Sequence, residues 1–130
     1  MTKAKGSFEV ASWDEETYEE VDGGKLTRAS VTQTFTGDVE GEGAVQWLMS
    51  YRKDGTARFV GLQRVRGSIG GLTGRFVMET IGEFDGKVAA GTWAVVAGAG
   101  TADLERLRGT GSFEAPLGSK PSFELDYELG

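Results

Sequence analysis

Glycine constrains this chain more than any other residue. Twenty-one of the 130 residues are glycine and only two are proline, and the glycines run from end to end. Between them lie short stretches in which apolar and polar side chains alternate. Alternation with period two is the mark of a strand with one face buried. Glycine within such a strand marks a bulge or the corner where a barrel bends.

Reading along the chain gives about eight strands. The first runs from Gly6 to Trp13, with Phe8 and Val10 on one face. Asp14 to Gly24, rich in acids, reads as a solvated loop, and its composition does not decide whether it covers a barrel end. Leu26 to Thr36 places Ala29, Val31, Gln33 and Phe35 together. Gly37 to Gly41 reads as a turn, followed by a strand from Glu42 to Tyr51 carrying Val45, Trp47, Met49 and Tyr51. Asp54-Gly55 and Asp85-Gly86 are hairpin signals, because such pairs supply the positive φ of tight turns. Between them lie Ala57 to Ile69 and Leu72 to Phe84, joined by Gly70-Gly71. Lys87 to Ala97, Leu107 to Ala115 and Ser122 to Leu129 complete the set. Only Thr101 to Arg106 looks helical, a single turn capped by Thr101. Eight strands is the number at which a small barrel closes around side chains or one small ligand. The expected fold is therefore an all-β, closed eight-stranded antiparallel β-barrel with at most one short helical turn, a single domain over residues 1–130.

Composition removes several functions. The chain has no His, no Cys and no Asn. A Ser-His-Asp triad, a cysteine nucleophile and the usual zinc, copper or haem ligands are all excluded. No metal and no cofactor are expected. The acids Asp14, Glu15, Glu16, Glu19 and Glu20 lack the ligand spacing of a calcium loop. Gly98-Ala99-Gly100-Thr101 lacks the third glycine and the βαβ setting of a dinucleotide site. The net charge of −6 opposes nucleic acid. No apolar stretch is long enough for a membrane helix, and Met1 to Gly6 leads into no signal-peptide core. A cytoplasmic protein is the expectation.

Several blocks together resemble one known family. They are Ser30-Val31-Thr32-Gln33-Thr34-Phe35-Thr36-Gly37 with Glu40-Gly41-Glu42-Gly43, then Phe59-Val60-Gly61-Leu62, then Gly70-Gly71-Leu72-Thr73-Gly74-Arg75-Phe76-Val77, and Gly98-Ala99-Gly100-Thr101 leading to Leu107-Arg108-Gly109. In order and over Gly6 to Tyr127 they are similar to the bacterial family named domain of unknown function 3224. The resemblance implies a barrel similar to allene oxide cyclase and, more remotely, to dirigent proteins. Those families steer reactive small molecules inside an apolar barrel without a cofactor. No catalytic residue carries over.

The candidate interior follows from the strand faces. Gln33, Trp47, Tyr51, Gln63, Met78, Thr80, Thr92 and Tyr127 are the ligand-binding candidates, polar groups set among aromatics. The polar ones either orient a ligand or pair with one another and with trapped water. Tyr51 and Tyr127 are either donors and weak acids in the cavity or aromatics with wet hydroxyls. Glu79 and Arg64 fall on the outer face, and a shift of one residue in register would turn them inward. Leu48, Val60, Leu62, Val77, Ile81, Trp93 and Val95 share that outer face. An apolar patch there predicts a homo-oligomer, dimer or trimer, the alternative being scattered surface hydrophobes. The leading functional expectation is a barrel that binds a small apolar molecule, with a cofactor-independent isomerase or cyclase as its enzymatic form. The alternative is a non-catalytic module that meets a protein partner through the outer face.

Overall fold

The computed structural model describes residues 1–130 and forms a closed barrel in which each strand pairs with the next and β1 pairs with β8. The strands are β1 (Thr2–Val21), β2 (Gly24–Gly37), β3 (Val39–Tyr51), β4 (Ala57–Ile69), β5 (Leu72–Phe84), β6 (Val88–Val95), β7 (Leu107–Pro116) and β8 (Ser122–Leu129). One 3-10 turn, Ala102–Leu104, lies between β6 and β7. Every pairing is antiparallel. No helix is long and apolar enough to cross a membrane.

The bend of the sheet depends on close backbone approach at a few glycines. Gly41 stands opposite Gly67 on β3 and β4, both with positive φ. A Cβ on either would collide with a carbonyl oxygen of the neighbouring strand. Glycine is the residue that tolerates both demands.

Inside, aromatic side chains fill the middle of the barrel. Phe8, Phe35, Trp93, Phe113 and Phe123 contact one another with ring centroids 5.4 to 6.4 Å apart. Below them Ile69, Leu104, Leu107, Leu125 and Tyr127 are buried and close one end. The 3-10 turn supplies Leu104 to that plug. The opposite end carries the β1–β2, β3–β4, β5–β6 and β7–β8 connections and is less filled.

Four local expectations change. The acidic stretch from Asp14 onward is strand, because β1 continues to Val21 and pairs with β2 as far as Gly24. A register shift between Val10 and Ser12 inserts Ala11 and reverses which side chains face inward, so the alternation that begins at Phe8 breaks there. The turn between β2 and β3 is Asp38 alone, and Val39 is already buried within β3. Thr101 does precede the 3-10 turn, but its hydroxyl accepts the Arg75 amide at 3.1 Å and does not cap it.

A further change concerns β6. Trp93 is 3% exposed and belongs to the core, Val95 packs against that core, and Thr92 is on the outer surface. The register explains the reversal. Thr80 and Trp93 stand opposite each other, as do Met78 and Val95, and cross-strand partners share a face. The inward positions preceding Trp93 are Gly91 and Ala89, too small to announce a buried face. Glu79 and Arg64 stay on the outer side.

Trp93→Ala is expected to cost about 3 to 5 kcal/mol in urea unfolding, as for other large aromatic truncations in cores, and Thr92→Ala less than about 0.5 kcal/mol. Similar losses at the two positions would contradict this facing of β6.

Candidate functional site

At the less filled end the barrel holds a cavity of about 270 Å³. Twelve of its fourteen lining residues are hydrophobic. Val10 and Trp13 come from β1, Trp47, Met49 and Tyr51 from β3, and Leu117 and Pro121 from the β7–β8 turn. Phe8, Phe59 and Phe113 form its inner wall with Gln33. A cavity of about 150 Å³ already accepts benzene, and drug-sized pockets start near 300 Å³. One or two rings is therefore the size that fits.

Aromatic faces build the wall. Trp13 packs on Trp47 with centroids 5.6 Å apart, and Trp47 on Phe59 at 5.1 Å. Gly61 stands opposite Trp47, and a Cβ there would strike the indole, so glycine makes room for the ring. Deeper in, Gln63 Nε2 donates to Gln33 Oε1, which fixes the one amide lining the cavity.

At the mouth a carboxylate gathers three donors. Glu15 Oε1 accepts from Trp13 Nε1 at 2.9 Å, and Oε2 accepts from Thr27 Oγ1 at 2.6 Å and Tyr51 Oη at 2.8 Å. Partial burial pushes the Glu15 pKa up, but these hydrogen bonds and the Lys25 charge outweigh it and hold the group below the usual carboxylate range. Tyr51 moves the other way. Burial, then donation to Glu15 and repulsion by its charge, push the phenol above its ordinary range. Near neutral pH Glu15 is an anion and Tyr51 a neutral phenol whose proton is committed. General acid–base catalysis works best with a pKa near the operating pH, so this pair is suited to holding two rings in place rather than to moving protons. Lys25 Nζ lies 5.1 Å from the Tyr51 ring centroid and steadies it from outside.

The eight sequence-derived candidates divide by position. Gln33, Trp47 and Tyr51 line the cavity. Gln63 supports Gln33 from behind, while Met78, Thr80 and Tyr127 are buried in the core and line no part of the cavity. Thr80 Oγ1 and the indole nitrogens of Trp47 and Trp93 are buried without a partner. Thr92, outside the barrel, takes no part. Trp13, Val10 and Glu15 were not among the candidates. Their signal is hidden by the inserted Ala11, since Phe8, Val10, Trp13 and Glu15 share a face only once that residue is skipped. No three carboxylates converge into a metal-holding group. A wider depression of about 720 Å³ on the outer surface, around Arg66 and Arg75, has no hydrophobic lining and stands largely open to solvent.

The comparisons with known proteins agree on one family. The family model described as protein of unknown function (DUF3224) matches residues 4–127. Among solved structures, a crystal structure of a protein with unknown function from the DUF3224 family of Shewanella oneidensis MR-1 superposes with a TM-score of 0.85. It is 28% identical and covers 100% of this chain and 98% of its own. No curated protein matches the chain.

Glu15→Gln is expected to cost about 1 kcal/mol at pH 7, as for loss of hydrogen bonds to a part-exposed charge. The sign with pH follows from the lowered pKa. The carboxylate's contribution is fully present above the unfolded-state value near 4.5 and is lost as pH falls through the lower folded-state value. Urea unfolding of wild type and variant should therefore differ at pH 7 and converge in strong acid. A gap that does not change with pH would remove this role for Glu15.

Proposed function

The chain belongs to the DUF3224 family, and from its cavity we propose that it is a small-molecule binding barrel taking one apolar molecule of one or two rings. The observation that carries this reading is the cavity itself, apolar on twelve of fourteen lining residues, aromatic-walled and open at one barrel end. Burial of ring surface against Trp13, Trp47 and Phe59 supplies the affinity. Gln33, held by Gln63, offers the one amide contact in the wall. The Glu15–Tyr51 pair lacks a proton carrier matched to neutral pH. Any isomerisation or cyclisation here proceeds by holding a reactive substrate in one conformation.

Native mass spectrometry of protein from its own host, followed by denaturing extraction, is expected to release a small apolar ring compound. Ala115→Phe, which fills the cavity from β7, should abolish that mass and the uptake of added naphthalene while the melting temperature holds. An empty wild-type protein that also refuses naphthalene defeats the reading.

The outer face supports a second property, assembly with another copy. Leu48, Val60 and Ile81 stand in one cross-strand row, each about half exposed, with Leu62 beside them. Arg58, Glu79, Glu83 and Arg64 surround the row with both signs of charge, which allows the patch to meet a copy of itself. Sedimentation analysis is expected to show a dimer or trimer, and Val60→Lys with Leu62→Lys to give monomers of unchanged circular dichroism. A monomeric wild type at high micromolar concentration removes this assignment.

A further inference from the structure

β1 is closed on one side only over its first third. It pairs with β8 from Thr2 to Ser7, and Phe8 adds one amide bond to Pro121 O at 3.3 Å. From Glu9 to Glu20 the strand pairs with β2 alone, and no backbone group on its other side has a partner. The barrel is thus closed at one end and carries a free strand edge at the other. Free edges of this length invite another strand.

Apolar side chains gather along the same edge. Val10 is 48% exposed, Trp13 46%, and Leu117 across the gap 69%. All three line the cavity mouth. Charge on the edge does not explain them. Glu9 to Val21 carries six carboxylates and no basic residue. Glu16 meets Arg28 and Glu9 meets Lys120, while Asp14, Glu19 and Glu20 have no ion pair.

We propose that the free edge of β1 is a docking site for an extended basic peptide segment of a partner protein, which adds as a strand and places one bulky apolar side chain in the cavity mouth. Main-chain hydrogen bonds to an exposed edge supply affinity, and a pocket for an alternate side chain supplies selectivity. Alternation sets the pattern. A peptide residue opposite Trp13 faces the cavity, the residue next to it faces outward toward Asp14, and the following outward position meets Glu16. Lysine or arginine there meets opposite charge. A second copy of this chain fits the edge less well than a basic peptide, because self-pairing brings six carboxylates of one strand alongside six of the other with no basic residue between them. This inference does not require the small-molecule reading, since the edge is free whether or not the cavity holds a ring.

The test uses the blocked peptide Lys-Thr-Lys-Phe-Lys-Thr-Lys, titrated by calorimetry, with amide hydrogen exchange on the protein. Binding is expected with slowed exchange confined to β1 between Val10 and Thr17, and it should weaken as salt is raised. Replacing the peptide's phenylalanine with alanine should weaken binding roughly tenfold or more, the loss of a pocket anchor. N-methylation of edge-facing peptide amides should abolish the slowed exchange. Equal binding of the alanine and N-methylated peptides, with no change in exchange at β1, would reduce the effect to surface charge and overturn the proposal. So would no binding at millimolar peptide. Slowed exchange at β1 without peptide, in a dimeric protein, would assign the edge to a second copy instead.

Discussion

Six residue pairs between β1 and β8 turn this sheet into a barrel. Thr2 to Ser7 stand opposite Tyr127 to Ser122, and through that ladder the first strand meets the last. Without it the inner faces of all eight strands would be open to water. With it Ala4, Phe8, Phe123 and Leu125 are shielded together. Lys3 and Lys5 lie within 3.5 to 3.7 Å of Glu124 and Asp126 along the seam. Those pairs are exposed and worth little individually, but they match lysine to acid in the correct register. The ladder's shortness also has a consequence. Where it ends, β1 is left without a second neighbour, and the cavity opens beside it.

The inserted Ala11 decides what that opening contains. Before it, Phe8 and Val10 face inward, and after it Trp13, Glu15 and Thr17 stand opposite Val31, Ala29 and Thr27. Without the shift Ser12, Asp14 and Glu16 would occupy the concave side. An aromatic wall with a single tethered carboxylate would become a row of acids. Glu15 is tolerated there because three donors surround it. The cost of moving a charge away from water is met by hydrogen bonds from Thr27, Tyr51 and the Trp13 indole.

These two features explain what was legible in the sequence and what was not. The bounds of β4, β5 and β8 follow from alternation and from the Asp-Gly and Gly-Gly turns, and the structure has them at the same residues. Large side chains mark those faces without ambiguity, as with Phe59, Gln63 and Val65, or Phe76, Met78 and Thr80. β6 fails for the opposite reason. Ala89 and Gly91 are inward but small, and Trp93 alone does not set a phase against Val88 and Thr92. Only the pairing of Thr80 with Trp93 does so, and pairing is a property of the folded sheet. The far half of β1 fails because its acids resemble a solvated loop. A ribbon wetted along one edge accepts such residues, and alternation does not survive an insertion. The site was thus half visible. Gln33, Trp47 and Tyr51 belong to undisturbed strands, and Trp13 and Glu15 lie beyond the bulge.

The two ends of the barrel differ in a way that bears on function. One end is plugged by Ile69, Leu104, Leu107 and Tyr127, and the 3-10 turn is fixed to β5 by Thr101 and Asp103. The Thr73 amide donates to Asp103 at 3.2 Å, so backbone as well as side chain holds that turn in place. The other end has no comparable strap. Its connections are short hairpins, and Leu117 stands exposed over a cavity it lines. A barrel needing only stability would gain from filling this space, because a void forfeits contacts for every atom on its wall. Ala89 and Ala115 line the cavity where larger side chains would occupy it. Small residues at those two positions keep the volume open, and it is this volume that the proposed ring ligand would fill.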